Sequence, residues 1–142
     1  MRIILNRLGE AMSELRLAAN VRMTPQRRAV LDAVAEQKGA FAVVDVFELA
    51  RRTERSLGLA TVYRTVELLR STGFVQPLAG AGHATYVRCH PGHHHHLVCQ
   101  ECGRVEETTL CGAPSPTLLA EKHGFKVDSH ELNVYGTCRA CA

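Results

Sequence analysis

Two Cys-x-x-Cys pairs restrict what this chain of 142 residues can fold into. Cys99 and Cys102 form the first pair, and Cys138 and Cys141 form the second. Each such turn directs two thiolates at one ion, and two turns complete a tetrahedral sulfur shell that suits zinc. A redox motif needs one pair only and leaves the second unexplained, and unligated cysteines are the remaining alternative. The pattern therefore predicts a closed structural zinc site, which holds the fold together and leaves no coordination position for catalysis.

Charge and cysteine content divide the chain into two parts. Residues 1–83 carry 12 Lys and Arg against 8 Asp and Glu and no cysteine, whereas residues 84–142 carry 5 basic and 6 acidic residues and all six cysteines. This asymmetry predicts two domains: residues 1–83, with a wing and hinge extending to about residue 92, and residues 93–142. No apolar run approaches the ~18 residues of a membrane span, and the N-terminus does not resemble a secretory signal. We therefore expect a cytoplasmic protein with no membrane partner.

Helical periodicity dominates the first domain. An amphipathic helix is predicted at the N-terminus, and a second helix begins at the Thr24-Pro25 cap and ends by Gly39. The elements that follow are two helices and then two short strands, predicted over residues 44–52, 59–72, 74–78 and 84–89. Helices followed by a two-stranded wing predict a winged helix-turn-helix and an α+β fold.

The helix over residues 59–72 carries the side chains that we expect to read DNA. Thr61, Tyr63 and Arg64 lie outside its apolar stripe; arginine can donate two hydrogen bonds to guanine, and a tyrosine ring can contact a thymine methyl. Arg27 and Arg28 are available for phosphates, which position a protein without reading sequence. Solvated surface arginines are the alternative, but the order of helices and wing favours DNA binding.

Four consecutive histidines precede the first cysteine pair. In an extended strand successive side chains alternate, so His94 and His96 face one side and their two neighbours the other. Cys89 is a soft donor for the first of these sides, and a fourth ligand can come from the following strand or from the wing. The predicted regulatory site therefore comprises Cys89, His94, His96 and either Glu107 or Gln76.

On the opposite side of the same strand, His93 and His95 form a possible additional site with His130 as the third donor. Cys111 lies in a loop by composition and is expected to be a free or packed thiol. A helix is predicted around PTLLAEKHG, and residues 125–134 are expected to form one or two strands. A small α/β domain of this kind can pair with a second copy, which predicts a homodimer.

The motifs TPQRRAV, LATVYRTVELL, HHHHLVCQECG and HELNVYGTCRAC together resemble the ferric uptake regulator superfamily, over residues 21–141. The resemblance implies a winged helix followed by an α/β dimerisation domain, with structural zinc at the two cysteine pairs and a sensing metal at the hinge. Cys89 occupies the wing-end position where the zinc uptake regulators of this superfamily have cysteine. Gln76 stands where such sensors often have Asp or His, and Ala113-Pro114 where an additional site of the family has a carboxylate.

These features predict a metal-dependent transcriptional repressor that binds operator DNA as a metal-loaded dimer. Zinc is the expected structural and regulatory cofactor, and an iron, manganese or peroxide sensor of the same superfamily is the alternative. A zinc hydrolase would need an open coordination position and a base, for which only the His93, His95 and His130 group with Glu106 qualifies, and HExxH is missing. A zinc buffer would leave the helix-turn-helix unused.

Overall fold

The computed structural model describes residues 21–78, 85–89, 93–112, 116–128 and 130–142. The chain forms two compact units, which divide between residues 90 and 91. The amphipathic helix predicted at the N-terminus lies outside the described residues. Within the described ranges, no helix has the length and apolar character that crossing a bilayer requires.

Three helices build most of the first unit: α1 (Pro25–Glu36), α2 (Val43–Ala50) and α3 (Leu59–Ser71). The predicted cap of α1 is confirmed, because the Arg27 amide donates to the Thr24 hydroxyl over 3.2 Å and proline occupies the first helical turn. At the start of α2 the Asp45 carboxylate accepts from the Ala42 amide at 2.7 Å. Local capping chemistry thus sets where these helices begin.

A three-stranded antiparallel sheet completes the first unit. Its strands are β1 (Phe41–Ala42), β2 (Val75–Leu78) and β3 (Thr85–Arg88), in the order β1-β3-β2. The sequence predicted the β2–β3 hairpin but not β1, which is held by pairing with β3 and by the Phe41 and Tyr86 rings, whose centroids are 6.1 Å apart. Three helices with this sheet form a winged helix-turn-helix, as predicted.

The apolar core belongs to the first unit. It is formed by the inner faces of the three helices together with β1, β2 and the loop before α3, and its most buried members include Val30, Val46, Val62, Val66 and Phe41. Burial of this kind stabilises by roughly 1.5–3 kcal/mol per large aliphatic side chain. The first unit therefore has the means to fold through apolar burial alone.

The described residues of the second unit form a mixed three-stranded sheet and one helix. The elements are β4 (His95–Cys99), β5 (Val105–Thr108), α4 (Pro116–His123) and β6 (Asn133–Gly136). The strand order is β5-β4-β6, with β4 antiparallel to β5 and parallel to β6. The helix α4 was predicted, but the strand expected over residues 125–134 is wrong for most of its length, because the described residues before Asn133 form none.

Histidine and cysteine side chains occupy the interior of this second unit. Among its described residues only His95, His96 and Cys99 are fully buried, at 1%, 1% and 5% exposure. These are polar or ionisable groups, which are costly to bury unless each is bonded to a partner. The stability of the second unit therefore depends on the partners that bind these buried histidine and cysteine side chains.

Candidate metal centres and DNA-reading helix

The parallel pairing of β4 with β6 brings the two Cys-x-x-Cys turns together. Cys99 at the end of β4 lies opposite Gly136 at the end of β6, and the Gln100 amide donates to the Gly136 carbonyl at 2.8 Å. Both turns therefore leave the sheet at the same edge. Gly103, at φ 70°, closes the first turn by donating its amide to the Cys99 carbonyl at 3.0 Å.

The four sulfur atoms are spaced for a tetrahedral ion. All lie within 4.8 Å of one another; Cys102 and Cys138 are 3.8 Å apart, and Cys138 and Cys141 are 3.6 Å apart. Zinc–sulfur bonds of ~2.3 Å at tetrahedral angles require sulfur–sulfur edges of about 3.8 Å. Zinc fits this cluster, and four protein ligands leave it no open position.

Hydrogen bonds within the cluster set the pKa values of its thiols. The Cys138 amide donates to the Cys99 sulfur at 3.3 Å, and this bond is the main cause that lowers the pKa of Cys99 to about 6. Bonding first to Cys138 and then to Cys102 raises the pKa of Cys141 to about 12. Cys99 is thus available as a thiolate near neutral pH, whereas Cys141 keeps its proton until a cation displaces it.

His94 and His96 lie on one face of β4, with ring centroids 5.0 Å apart. On the flanking strands, Glu107 and Asn133 are the Cα partners of His96, so both lie in its row. The Asn133 amide oxygen is 3.1 Å from Nδ1 of His96, which places the ring hydrogen on Nδ1 and the lone pair on Nε2. That Nε2 is buried and has no hydrogen-bond partner among the described residues.

The other two predicted regulatory ligands belong to the first unit. The Cys89 amide donates to the Phe74 carbonyl at 2.9 Å and so continues the hairpin beyond β3. Gln76 pairs with Val87, two residues before Cys89, so the register places Gln76 and Cys89 on the same face of that hairpin. The grouping of Cys89 or Gln76 with residues of the second unit stays a prediction.

The opposite face of β4 carries a second histidine cluster. The ring of His93 lies 4.5 Å from that of His95 and 4.6 Å from that of His130, measured between centroids. Burial, followed by the electrostatic effect of His93 and His130, lowers the pKa of His95 and so favours its neutral form. Neither nitrogen of the His95 ring has a hydrogen-bond partner in the described chain, which costs about 1–3 kcal/mol if nothing else binds there.

Cys111 belongs to this second cluster. Its sulfur is 3.3 Å from Nε2 of His130, and it lies with the three histidines in a group whose ligand atoms are all within 4.8 Å of one another. The sequence predicted a free or packed thiol here, and the structure places that thiol beside the three histidines. A signal was present, because Cys111 lies two residues before Ala113, where the family resemblance calls for a carboxylate.

The helix α3 presents the predicted DNA-reading side chains outward. Tyr63 is 53% exposed, Arg64 is exposed and Thr61 is partly exposed. The Val62, Thr65, Val66 and Leu69 side chains anchor the opposite face in the core. The helix is therefore fixed by its apolar stripe and free to contact a duplex along its outer face.

The two predicted phosphate contacts have local partners. Arg27 donates to the Arg22 carbonyl and so supports the segment before α1. Arg28 forms an exposed ion pair with Asp32 at 3.3 Å, and such pairs contribute only about 0–1 kcal/mol. Arg28 can therefore leave its partner for a phosphate at little cost.

Comparison with known proteins agrees with this architecture. The model of the ferric uptake regulator family matches residues 18–135. The zinc uptake regulation protein of Mycobacterium tuberculosis is 40% identical, with 87% of this chain and 97% of that protein covered. The ferric uptake regulation protein of Bacillus subtilis is 33% identical over 96% of this chain and 95% of its own length. A solved zinc uptake regulator complexed with zinc and DNA has a TM-score of 0.72 at 31% identity, covering 97% of this chain and 94% of the other.

A winged helix-turn-helix joined to a unit built on cysteine and histidine clusters defines a metal-responsive transcription regulator. The chain belongs to the ferric uptake regulator family. Members of this family regulate transcription and are not enzymes, so the zinc hydrolase considered above falls away.

Proposed function

We propose that this protein is a zinc-sensing repressor of metal-uptake genes that binds operator DNA as a metal-loaded homodimer. The observation that carries the proposal is the state of His96: a buried imidazole whose tautomer is fixed by Asn133 and whose Nε2 lone pair has no partner among the described residues. A ring prepared in this way is suited to a metal ion.

The proposed sensing ligands are Cys89, His94, His96 and Glu107, with Gln76 as the alternative to the glutamate. A thiolate and two imidazoles favour zinc over manganese, whose preferred ligands are oxygen atoms. Glu107 is the better fourth ligand, because it lies opposite His96 on β5 and carries a charge that the Gln76 amide lacks. The similarity to the zinc uptake regulation protein of Mycobacterium tuberculosis supports the same metal.

The proposed switch follows from where the ligands lie in the chain. Cys89 precedes the division between the two units and the histidines follow it, so one ion held by both would favour a single arrangement of the DNA-reading unit. A nearly complete switch needs metal to bind that arrangement about ten-thousandfold more tightly than the others. Zinc would thereby control affinity for DNA without contacting it.

Exposed apolar side chains of the second unit support the homodimer. Phe125, Leu110, Leu118 and Val134 are 73%, 82%, 58% and 45% exposed, and burying such large apolar side chains against a partner would stabilise an interface. A second copy is the proposed occupant, because two DNA-reading helices then match two half-sites of an operator. None of the six cysteines, all of which lie in the described ranges, forms a disulfide, which fits a reducing cytoplasm.

The test begins with selection of duplexes from a random library by the full-length, zinc-loaded protein. Affinity for the selected duplex is then measured by fluorescence anisotropy for chelator-treated protein and at buffered free zinc, manganese and anaerobic ferrous iron. We expect zinc to raise the affinity at least about a hundredfold. Equal affinity with and without zinc would refute the switch, and a response at lower free manganese or iron than zinc would reassign the sensed metal.

Cys89→Ser and Arg104→Ala form the matched pair for this assay. Cys89→Ser should lose the zinc response while keeping the structural ion. Arg104 lies between the two predicted centres in sequence and forms an ion pair with Glu106 at 2.8 Å on the surface, so its replacement should keep the response.

A further inference from the structure

We infer that Cys111 is a metal ligand, and that it converts the His93, His95 and His130 cluster into a four-coordinate site for a borderline-soft divalent cation such as zinc. The four side chains come from separate segments: the start of β4, the loop after β5 and the loop before β6. Their ligand atoms nevertheless lie within 4.8 Å of one another.

The distances suit coordination. With zinc–sulfur bonds of ~2.3 Å and zinc–nitrogen bonds of ~2.05 Å, a tetrahedral site has a sulfur–nitrogen edge of about 3.5 Å. The observed distance from the Cys111 sulfur to His130 Nε2 is 3.3 Å. A small contraction of the remaining separations around the ion completes the shell.

Burial of His95 is the second and independent observation. It is 1% exposed, and neither ring nitrogen has a hydrogen-bond partner in the described part of the chain. A histidine that served only the packing would leave two unpaired nitrogen atoms in the interior, which proteins rarely tolerate. A cation between His95 and its three neighbours supplies the missing partner.

The thiolate determines which metals the site accepts. Three imidazoles alone suit many divalent ions, but sulfur shifts the preference toward zinc and cobalt and away from manganese. It also makes the site chemically addressable, because Cys111 is exposed whereas His95 is buried. An unligated Cys111 is open to alkylation, and a metal-bound one is protected.

The test uses cobalt as a spectroscopic substitute for zinc. In Cys89→Ser protein whose structural site is filled with zinc, the remaining candidate cysteine ligand is Cys111. We expect one equivalent of cobalt to produce a thiolate-to-cobalt charge-transfer band, which is absent from Cys89→Ser/Cys111→Ser protein. Cobalt that exchanged into the structural site would contribute equally to both spectra, so their difference reports Cys111 alone.

Alkylation of the same protein provides a second readout, which does not depend on the absorption spectrum of cobalt. We expect zinc to slow the reaction of Cys111 with a maleimide about tenfold or more, and His130→Gln to remove this protection. Identical cobalt spectra for the two variants, or an alkylation rate unaffected by zinc, would overturn the assignment. Neither measurement involves DNA, so the inference can stand where the zinc-dependent repressor fails, and the reverse.

Discussion

Asn133 accepts a hydrogen bond from Nδ1 of His96 across the parallel pair of strands, over 3.1 Å. The bond fixes both the tautomer and the rotation of the imidazole, and it leaves the lone pair on Nε2 of a ring that shares its face of the strand with His94. Partners that hold a ligating histidine in this way raise its basicity and reduce the reorganisation needed on binding. Asn133 is therefore a positioning residue of the proposed sensing site.

Asn133→Ala should weaken zinc binding at that site about 10- to 100-fold. Competition with a chromogenic chelator, after the structural site has been filled, measures the change. Asn133→Asp keeps an oxygen acceptor at the same position and should remain near wild type. If Asn133→Ala left the zinc affinity unchanged, Asn133 would have no positioning role at this site.

Cys102→Ser should release the structural zinc and unfold the second unit, because the buried described residues there are donors rather than an apolar core. Metal analysis should show loss of at least the structural zinc, and hydrogen exchange should show loss of protection in β4–β6. Amides of the first unit should stay protected, since the apolar core that stabilises this unit is formed by its own residues. The matched variant Cys111→Ser should keep this zinc, and a Cys102→Ser protein with full zinc content would contradict the four-cysteine site.

Arg64→Ala should weaken binding to the selected duplex by about 1–3 kcal/mol, roughly 5- to 150-fold, through loss of a bidentate base contact. Arg70→Ala is the control on the same helix, because Arg70 lies in its last turn, whereas Arg64 lies in the N-terminal half that a recognition helix presents to base edges. Both variants should retain the metal content of the wild type. If the two variants bound the selected duplex with equal affinity, the assignment of Arg64 on α3 to the DNA interface would be wrong.

Phe125→Asp should shift the protein toward the monomer, because a carboxylate cannot be buried in an apolar interface without a partner. Sedimentation equilibrium reports the change directly. Val44→Asp is the control, since Val44 is 51% exposed but lies at the start of α2 in the first unit. Dissociation by both variants, or by neither, would speak against an interface at Phe125.

The sequence predicted those parts of the fold whose causes are local. The Thr24-Pro25 cap predicts the start of α1, because the threonine hydroxyl and the proline ring affect only the backbone of the first helical turn. The same holds for the alternation of the four histidines, since a strand turns each side chain opposite to the last one. The winged helix-turn-helix followed from adding such signals in order.

The parts that sequence missed depend on contacts between distant residues. β1 has two residues, too few for a periodic signal, and exists because Phe41 and Ala42 pair with β3. Phe125 and Val127 alternate with charged residues as a strand would, yet they are 73% and 37% exposed outside any described strand. Their alternation marks an apolar surface rather than sheet pairing. Cys111 contacts His130, which lies 19 positions later in the chain. The residues next to Cys111 in the sequence carry no pattern that predicts this contact.

The length of the segment around β4 is as constrained as its chemistry. Its even and odd positions serve different faces, and its last residue, Cys99, belongs to the four-cysteine cluster. Exchange of one donor for another would alter a single ligand of one site. Loss or gain of one residue between His94 and Cys99 would instead interchange the partners of both histidine clusters in a single event. Insertions and deletions of one residue in this segment should therefore be far rarer among descendants of this chain than substitutions of single ligands.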